Sequence, residues 1–320
     1  MSVAATRLPV PEVPRLGFAG VGWIGGQRMR VLADSGLAEV GAVCDVDCAR
    51  IGDACSPLRH QPVICDAFEE LLELPLDGLV IATPNWLHER QAAAALERRM
   101  PVFIQKPLAL TAGGTRRLLD LARRNAVPLG VDWSYRYLAG MSALRQRIGD
   151  GEIGAITAAE LSFHNAYGPD AAWYYDLETG GGGCLLDLGC HLLDLCHWLL
   201  GARTPADVHA SCFREGARLS LPVSEPEDFV TADIAYESGQ QVHLSCSWRA
   251  AVGRGIGAIG AEAAIDGLAA LLQGRAEVAP HQAKPVAIDP DLVGRIHGRH
   301  RVLAVLDGGQ RRFHHHVGET

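Results

Sequence analysis

"GFAGVGWIGGQRMRVL", Gly17 to Leu32, decides the fold. A short apolar run ends in Gly20-x-Gly22-x-x-Gly25 and passes directly into a helical pattern. The next apolar run, "AEVGAVCDV", carries an acid, Asp45, 25 residues after Gly20. Strand, glycine turn, helix and acid in this order are the context of a dinucleotide fingerprint. Gly20 permits the tight turn, Gly22 lets a pyrophosphate approach the backbone, and Gly25 lets the helix pack on its strand. The free N–H groups at the helix start, where Trp23 and Ile24 sit, then face the phosphates. Asp45 can accept hydrogen bonds from the adenosine ribose and would repel a 2′-phosphate. NAD is therefore expected as cofactor, with NADP second; Arg50 nearby tempers the preference. The other reading is a glycine-rich turn in a flavodoxin-like sheet, with Asp45 capping a helix.

The pattern repeats outward. "DGLVIATP", "PVFIQKP" and "VPLGVDW" read as further buried parallel strands, separated by the helical segments "FEELLEL", "HERQAAAALERR" and "GTRRLLDLARRN". Such alternation predicts a doubly wound α/β Rossmann domain over residues 1–133. A helix, "YLAGMSALRQRIGDG", links it to the second half of the chain. There period-two segments take over: "AITAAELSFHN", "PADVHASCFREG", "DFVTADIAYESG" and "QQVHLSCSWRA". Residues 134–320 are expected to form an α+β domain with a large open antiparallel sheet.

In a doubly wound sheet, ligands bind beyond the carboxyl ends of the strands. The segment with Thr83, Pro84, Asn85 and His88 leaves one strand, Gln105-Lys106-Pro107 ends another, and "DWSYRY", with Arg136, ends a third. Lys106 is a candidate proton-transfer or substrate-orienting group, or else a solvated lysine. Asn85 and His88 face the cofactor or cap the following helix.

"GGGGCLLDLGCHLLDLCHWLLG", Gly180 to Gly201, sits between the first two period-two segments. Leu188, Leu192, Leu195 and Leu199 form the stripe a helix buries. Asp187, His191 and Asp194 form a polar stripe on another face. A histidine with an ordinary pKa of about 6.5 suits proton transfer at neutral pH, and a nearby carboxylate would fix its tautomer. The stripe could instead cap the helix start, or bind metal with Cys190 and His197; no metal is expected. Trp173 and Tyr174, with Tyr175 and Asp176, precede the glycines and suit a sugar face or core packing. The consecutive histidines 314–316 offer incidental metal affinity at most.

The glycine fingerprint, "ATPNWLH", "QKPLAL", "SYRY" and "GGGCLLDLGCHLLD" together resemble the Gfo/Idh/MocA oxidoreductases, from Arg15 to Gly201 and more weakly to Gly267. The resemblance implies NAD(P)-dependent hydride transfer at a secondary alcohol or ketone of a sugar, nucleotide sugar or cyclitol. It implies that Lys106 contacts the reacting oxygen, that His191 moves the proton, and that Asp187 supports both substrate and histidine. Two departures stand out. Gln105 replaces the usual Glu, which removes a charge beside Lys106, and Ser134 replaces a frequent Asn. Redox-neutral epimerisation or glycoside cleavage with tightly held NAD, and a dinucleotide-sensing regulator, are the alternatives.

The rest of the composition sets bounds. Net charge is −8, from 29 basic and 37 acidic side chains, which argues against nucleic-acid and anionic-lipid partners. The N-terminus lacks the apolar core of a signal peptide, and no apolar stretch approaches membrane-spanning length. Nine cysteines without disulfide-scaffold spacing suit reduced thiols in a cytoplasmic protein. A homo-oligomer, dimer or tetramer, is expected through the open sheet.

Overall fold

The computed structural model describes residues 13–201 and 204–249, and the backbone of 303–306. The consecutive histidines 314–316 fall outside the described residues.

The first half alternates strand and helix. In order these are β1 (Arg15–Ala19), α1 (Trp23–Ser35), β2 (Glu39–Cys44), α2 (Cys48–Cys55), β3 (Val63–Cys65) and α3 (Phe68–Leu71). β4 (Gly78–Ile81), α4 (Asn85–Glu97), β5 (Val102–Ile104), α5 (Ala112–Asn125) and β6 (Leu129–Val131) complete it. The strands pair in parallel in the order β3-β2-β1-β4-β5-β6, the doubly wound dinucleotide-binding arrangement. β1, β4 and β5 are apolar along their length because helices cover both faces: Phe18, Ile81, Val102 and Ile104 are fully enclosed. Local chemistry sets the helix ends. Asp47 accepts the N–H groups of Ala49 and Arg50 to cap α2, and Thr111 accepts that of Gly114 to cap α5.

The second half holds α6 (Met141–Gly149), β7 (Ile156–His164), α7 (Leu177–Gly180), α8 (Cys190–Leu200), β8 (Pro205–Arg214), β9 (Ala217–Arg218), β10 (Phe229–Tyr236), β11 (Gln241–Ser247) and β12 (Leu303–Leu306). These strands lie in the order β12-β7-β11-β10-β8-β9. The sheet is mixed rather than wholly antiparallel. β8, β10 and β11 run as an antiparallel set, but β11 then lies parallel to β7. The chain leaves β7, passes through α7 and α8 on one face, and re-enters the sheet at β8, three positions away. That crossover sets β8 parallel to β7, and the antiparallel run back through β10 brings β11 beside β7 in the same direction.

α8 covers that face. Leu188, Leu192, Leu195 and Leu199 are buried with Leu161, Phe163, Ile234, Leu244 and Trp248 in one core. The helix is not continuous from Gly180. After α7 the chain bends at Gly181 and enters a π-helical turn, Leu185–Gly189, before α8 begins. By length and composition the run Leu177–Leu200 could cross a membrane, which corrects the expectation that no stretch reaches that length; 72 % of its most apolar window is buried inside the protein.

Candidate active site

The glycine turn between β1 and α1 is shaped by close approach. Gly20 has φ +83°, and a Cβ there would lie 2.5 Å from the Ala82 carbonyl oxygen. A Cβ on Gly25 would lie 2.1 Å from the Gly20 oxygen. Gly22 meets only the Arg50 guanidinium, at 3.6 Å from an added Cβ, and α1 opens with no side-chain cap and no acid in its first turn. Uncapped N–H groups with a guanidinium alongside suit an anion. Trp23 stands exposed and Ile24 half-buried beside this opening. Asp45 sits at the end of β2 with Oδ2 accepting the Val21 N–H at 2.8 Å and Oδ1 accepting the Asp47 N–H at 3.0 Å. Each carboxylate oxygen keeps a second lone pair for a ribose hydroxyl. These residues fit an NAD dinucleotide.

Beyond β5 lies the corner carrying Lys106. Its ammonium donates to the Asp187 side chain at 2.7 Å and to the Asp187 carbonyl at 2.6 Å. The other Asp187 oxygen accepts the Trp248 indole N–H at 3.0 Å. Burial opposes the lysine charge, but Asp187, with Cys190 and Tyr174, outweighs it and raises the pKa. The charge that Gln105 fails to supply therefore comes from Asp187, across the domain boundary.

His191 is buried beside this pair. Its ring lies 4.4 Å from that of Tyr135 and 5.9 Å from that of Trp133, centroid to centroid. Burial, then the charges of Lys106 and Arg28, hold its pKa well below 6.5. The ring is thus a neutral base at physiological pH, and its buried Nδ1 has no hydrogen-bond partner among the described residues. The expected carboxylate support for its tautomer is not there, because Asp187 is committed to Lys106 and Trp248.

Several expected residues are engaged elsewhere. Asp194 does not face the cleft with His191; it forms a two-pronged ion pair with Arg136, with Arg136 Nε to Asp194 Oδ2 at 2.7 Å. That pair occupies the guanidinium expected to meet substrate. His88 is fully enclosed, with Nδ1 2.7 Å from the Pro107 carbonyl and Nε2 2.8 Å from that of Thr83. It presents no atom to a cofactor; it ties the Lys106–Pro107 corner to the end of β4. Asn85 neither caps α4 nor lies open: its amide donates to the Gly180 carbonyl at 3.0 Å, joining the two halves. Thr83 donates to Gln91 at 2.6 Å, beside Pro84. Gln105 is buried, its amide donating to Asp132. The glycine run also has a structural cause, since a Cβ on Gly183 would lie 1.9 Å from the Glu227 backbone oxygen. Glu227 in turn accepts the N–H groups of Gly183 and Leu185. Among the described residues no three His, Cys, Asp or Glu side chains are grouped to hold a metal ion.

Trp173 stacks on Tyr174 at 3.7 Å between ring centroids, and Trp86 from α4 meets Trp173 edge-on at 5.7 Å. Sequence reasoning missed Trp86, Trp133, Tyr135, Asp132, Arg28 and Trp248. Asp132, Trp133 and Tyr135 appear in the sequence only as part of the strand-end segment "DWSYRY", Trp86 only within "ATPNWLH", and Trp248 as a lone tryptophan ending an alternating strand.

Residues 15–133 match the family model described as "Oxidoreductase family, NAD-binding Rossmann fold", and residues 141–268 match that of the "GFO/IDH/MocA C-terminal domain". The rhizopine catabolism protein MocA of Rhizobium meliloti is 30 % identical over 188 residues, 58 % of this chain and 57 % of that protein. A putative UDP-kanosamine synthase oxidoreductase subunit of Amycolatopsis mediterranei is 30 % identical over 263 residues, 78 % of this chain and 72 % of its own length. Several other curated relatives are spanned over only half to three fifths of their length, 51 % for the Escherichia coli D-glucoside 3-dehydrogenase. Among solved structures, GenD2 from gentamicin A biosynthesis, in complex with NAD, superposes with a TM-score of 0.68 at 27 % identity, covering 79 % of this chain and 70 % of that one.

Proposed function

The chain belongs to the Gfo/Idh/MocA oxidoreductase family, and from that premise we propose that it is an NAD-dependent dehydrogenase or reductase acting at a secondary alcohol or ketone carbon of a sugar, nucleotide sugar or cyclitol. The observation that carries the reading is the Lys106–Asp187 ion pair beside a buried, neutral His191, at the strand ends that the dinucleotide turn also borders. The names of relatives, D-glucoside 3-dehydrogenase, 1,5-anhydro-D-fructose reductase and inositol 2-dehydrogenase, support that substrate class.

Bound NAD supplies the nicotinamide ring that takes or returns the hydride. The protein handles the oxygen and its proton. In the oxidative direction the neutral His191 ring accepts the hydroxyl proton as the C–H bond breaks. The Lys106 ammonium, kept charged by Asp187, donates a hydrogen bond to the oxygen as alkoxide character develops. In reduction, His191 returns the proton and Lys106 polarises the carbonyl. Asp187, pinned by Trp248, positions the lysine. Trp173, Tyr174 and Trp86 offer apolar surface to a sugar ring.

The division into a nucleotide domain, residues 1–133, and a substrate and oligomer domain, residues 134–320, belongs to the same proposal. So does a cytoplasmic homo-oligomer joined through the half-exposed face of the sheet, where Thr231, Asp233 and His243 lie. The test is an NADH-linked screen of sugars, nucleotide sugars and cyclitols with the purified protein. Stoichiometric NADH formation supports the reading. Product formation without net NADH would replace it with redox-neutral catalysis, and binding without turnover would replace it with a sensor.

A further inference from the structure

Behind the Lys106 corner lies a buried charged cluster that the proposed reaction does not use directly. Arg28, on α1, donates from Nε to Asp132 Oδ2 at 2.8 Å, with side chains 7 % and 2 % exposed. The same oxygen accepts the amide of Gln105, the residue immediately before Lys106. A carboxylate only accepts, so the Gln105 amide nitrogen must face it. Asp132 also immediately precedes Trp133, whose ring lies edge-on to His191. One carboxylate thus reaches three elements at once: the nucleotide helix, the end of β5 bearing the lysine, and the aromatic wall of the histidine.

Removing two charges from water is costly, and well-packed apolar residues of the same volume usually serve stability as well. A buried pair in such a place therefore calls for a role in specificity of arrangement. We propose that Arg28 and Asp132 are positioning residues for the reaction, fixing the β5 and β6 strand ends so that Lys106 and His191 address the same substrate oxygen. The proposal rests on the dehydrogenase reading.

Their charges also act unequally on His191. The groups that bear on that ring are Lys106 from the end of β5, Arg28 from α1, and Tyr135 and Trp133 beyond β6, while Asp187 and Cys190 on its own segment act on Lys106. Arg28 and Lys106 both oppose protonation of the ring. In Arg28→Gln, Asp132 stays as an uncompensated negative charge, and His191 should titrate at higher pH. In Asp132→Asn the arginine charge stays uncompensated, and the titration should not rise. Arg28→Lys keeps the charge but loses the planar fork, so it should keep the low titration and lose rate.

The experiment follows the His191 ring by NMR in labelled wild-type protein and in the three variants, with His191→Gln to assign the signal. NADH affinity is measured alongside by fluorescence titration. The expected result is a rise in Arg28→Gln only, with NADH affinity within a few fold of wild type throughout. Where a substrate is in hand, kcat should fall about tenfold or more in all three with KM for NAD little changed. A rise in both Arg28→Gln and Asp132→Asn would signify general loosening and overturn the proposal, as would no rise in either. If single variants do not fold, the double variant Arg28→Met with Asp132→Leu removes the charges together. It should fold and bind NADH with kcat about tenfold or more below wild type; wild-type kcat in it would also overturn the proposal. The NMR readout needs no turnover, so failure of the dehydrogenase reading would show separately, as inactivity of the wild type.

Discussion

Lys106 and Asp187 meet across the two halves of the molecule, with Nζ 2.7 Å from Oδ1 and 2.6 Å from the Asp187 carbonyl oxygen. Eighty-one residues separate them in sequence. The pair makes the lysine's charge depend on correct assembly of both halves. Lys106→Ala should lower kcat/KM by ~10²–10⁴-fold, the usual worth of one group stabilising charge or moving a proton. NADH binding should persist, because the glycine turn is untouched. Parallel loss of nucleotide binding would show that the lysine serves the fold or the cofactor instead. Trp248→Phe keeps an aromatic ring in place but leaves one Asp187 oxygen without its indole donor. About 1.5–3 kcal/mol of stability is expected to go, read as a lower denaturation midpoint, with a smaller loss of rate than for Lys106→Ala.

Asp45 has two tasks that one substitution separates. Its oxygens accept the Val21 and Asp47 N–H groups, and its remaining lone pairs suit a ribose. A hydrogen bond to a charged group is worth about 1.5–3 kcal/mol. Asp45→Ser should therefore lower the ratio of kcat/KM for NAD over NADP by at least about tenfold. Arg50, whose guanidinium borders Gly22, would assist a 2′-phosphate once the carboxylate is gone. An unchanged ratio would remove Asp45 from cofactor selection.

The sheet of the first half was legible because its strands are enclosed on both sides, so apolar residues run without alternation. β3 was not, because Val63 and Ile64 at the sheet edge are half exposed and only three residues pair. The leucine stripe of α8 announced a buried helix, but nothing in a 3.6-residue period reveals the π turn at Leu185–Gly189. The site divided in the same way. Asp187 and His191 stood out as polar residues in an apolar helical run, and Lys106 as a lysine ending a strand before Pro107. Their partners did not: Asp132, Arg28, Trp133 and Trp248 read as ordinary core or surface until the chain folds. Proximity in space carries that information, and one sequence does not contain it.

Acid should disable and destabilise the protein together. Burial lowers the pKa of His88, His191 and His197, His191 most strongly. Below about 6.5 the unfolded chain takes up protons on these rings that the folded chain refuses. The unfolded state then binds more protons, so stability falls as pH drops from 6.5 toward the folded-state values and is unaffected by these groups above it. Denaturation midpoints measured from pH 8 to pH 5 should decline only in the lower half of that range. Because His191 is already neutral well below 6.5, the acid limb of kcat/KM for alcohol oxidation should lie below the ordinary histidine pKa. An acid limb at or above 6.5 would mean that His191 is not the proton acceptor.

The aromatic group formed by Trp86, Trp173 and Tyr174 joins the two halves. Trp173 and Tyr174 lie stacked, and Trp86, 39 % exposed, meets Trp173 edge-on. Tyr174 belongs to the Lys106 surroundings, and burial together with Asp187 pushes its hydroxyl pKa up to about 12, so the phenol stays protonated and can donate. Aromatic surface of this kind binds the apolar face of a sugar ring without changing between ground and transition state. Uniform binding of that sort sets KM and leaves kcat alone. Trp173→Ala should thus raise KM for the sugar by roughly tenfold or more, given about 0.5–1.5 kcal/mol for an aromatic pair beyond its buried area, with kcat within a few fold. Tyr174→Phe should act differently, leaving the stack in place and lowering kcat if the phenol touches the substrate. A fall in kcat with unchanged KM in Trp173→Ala would show that the stack shapes the catalytic corner rather than receiving the sugar.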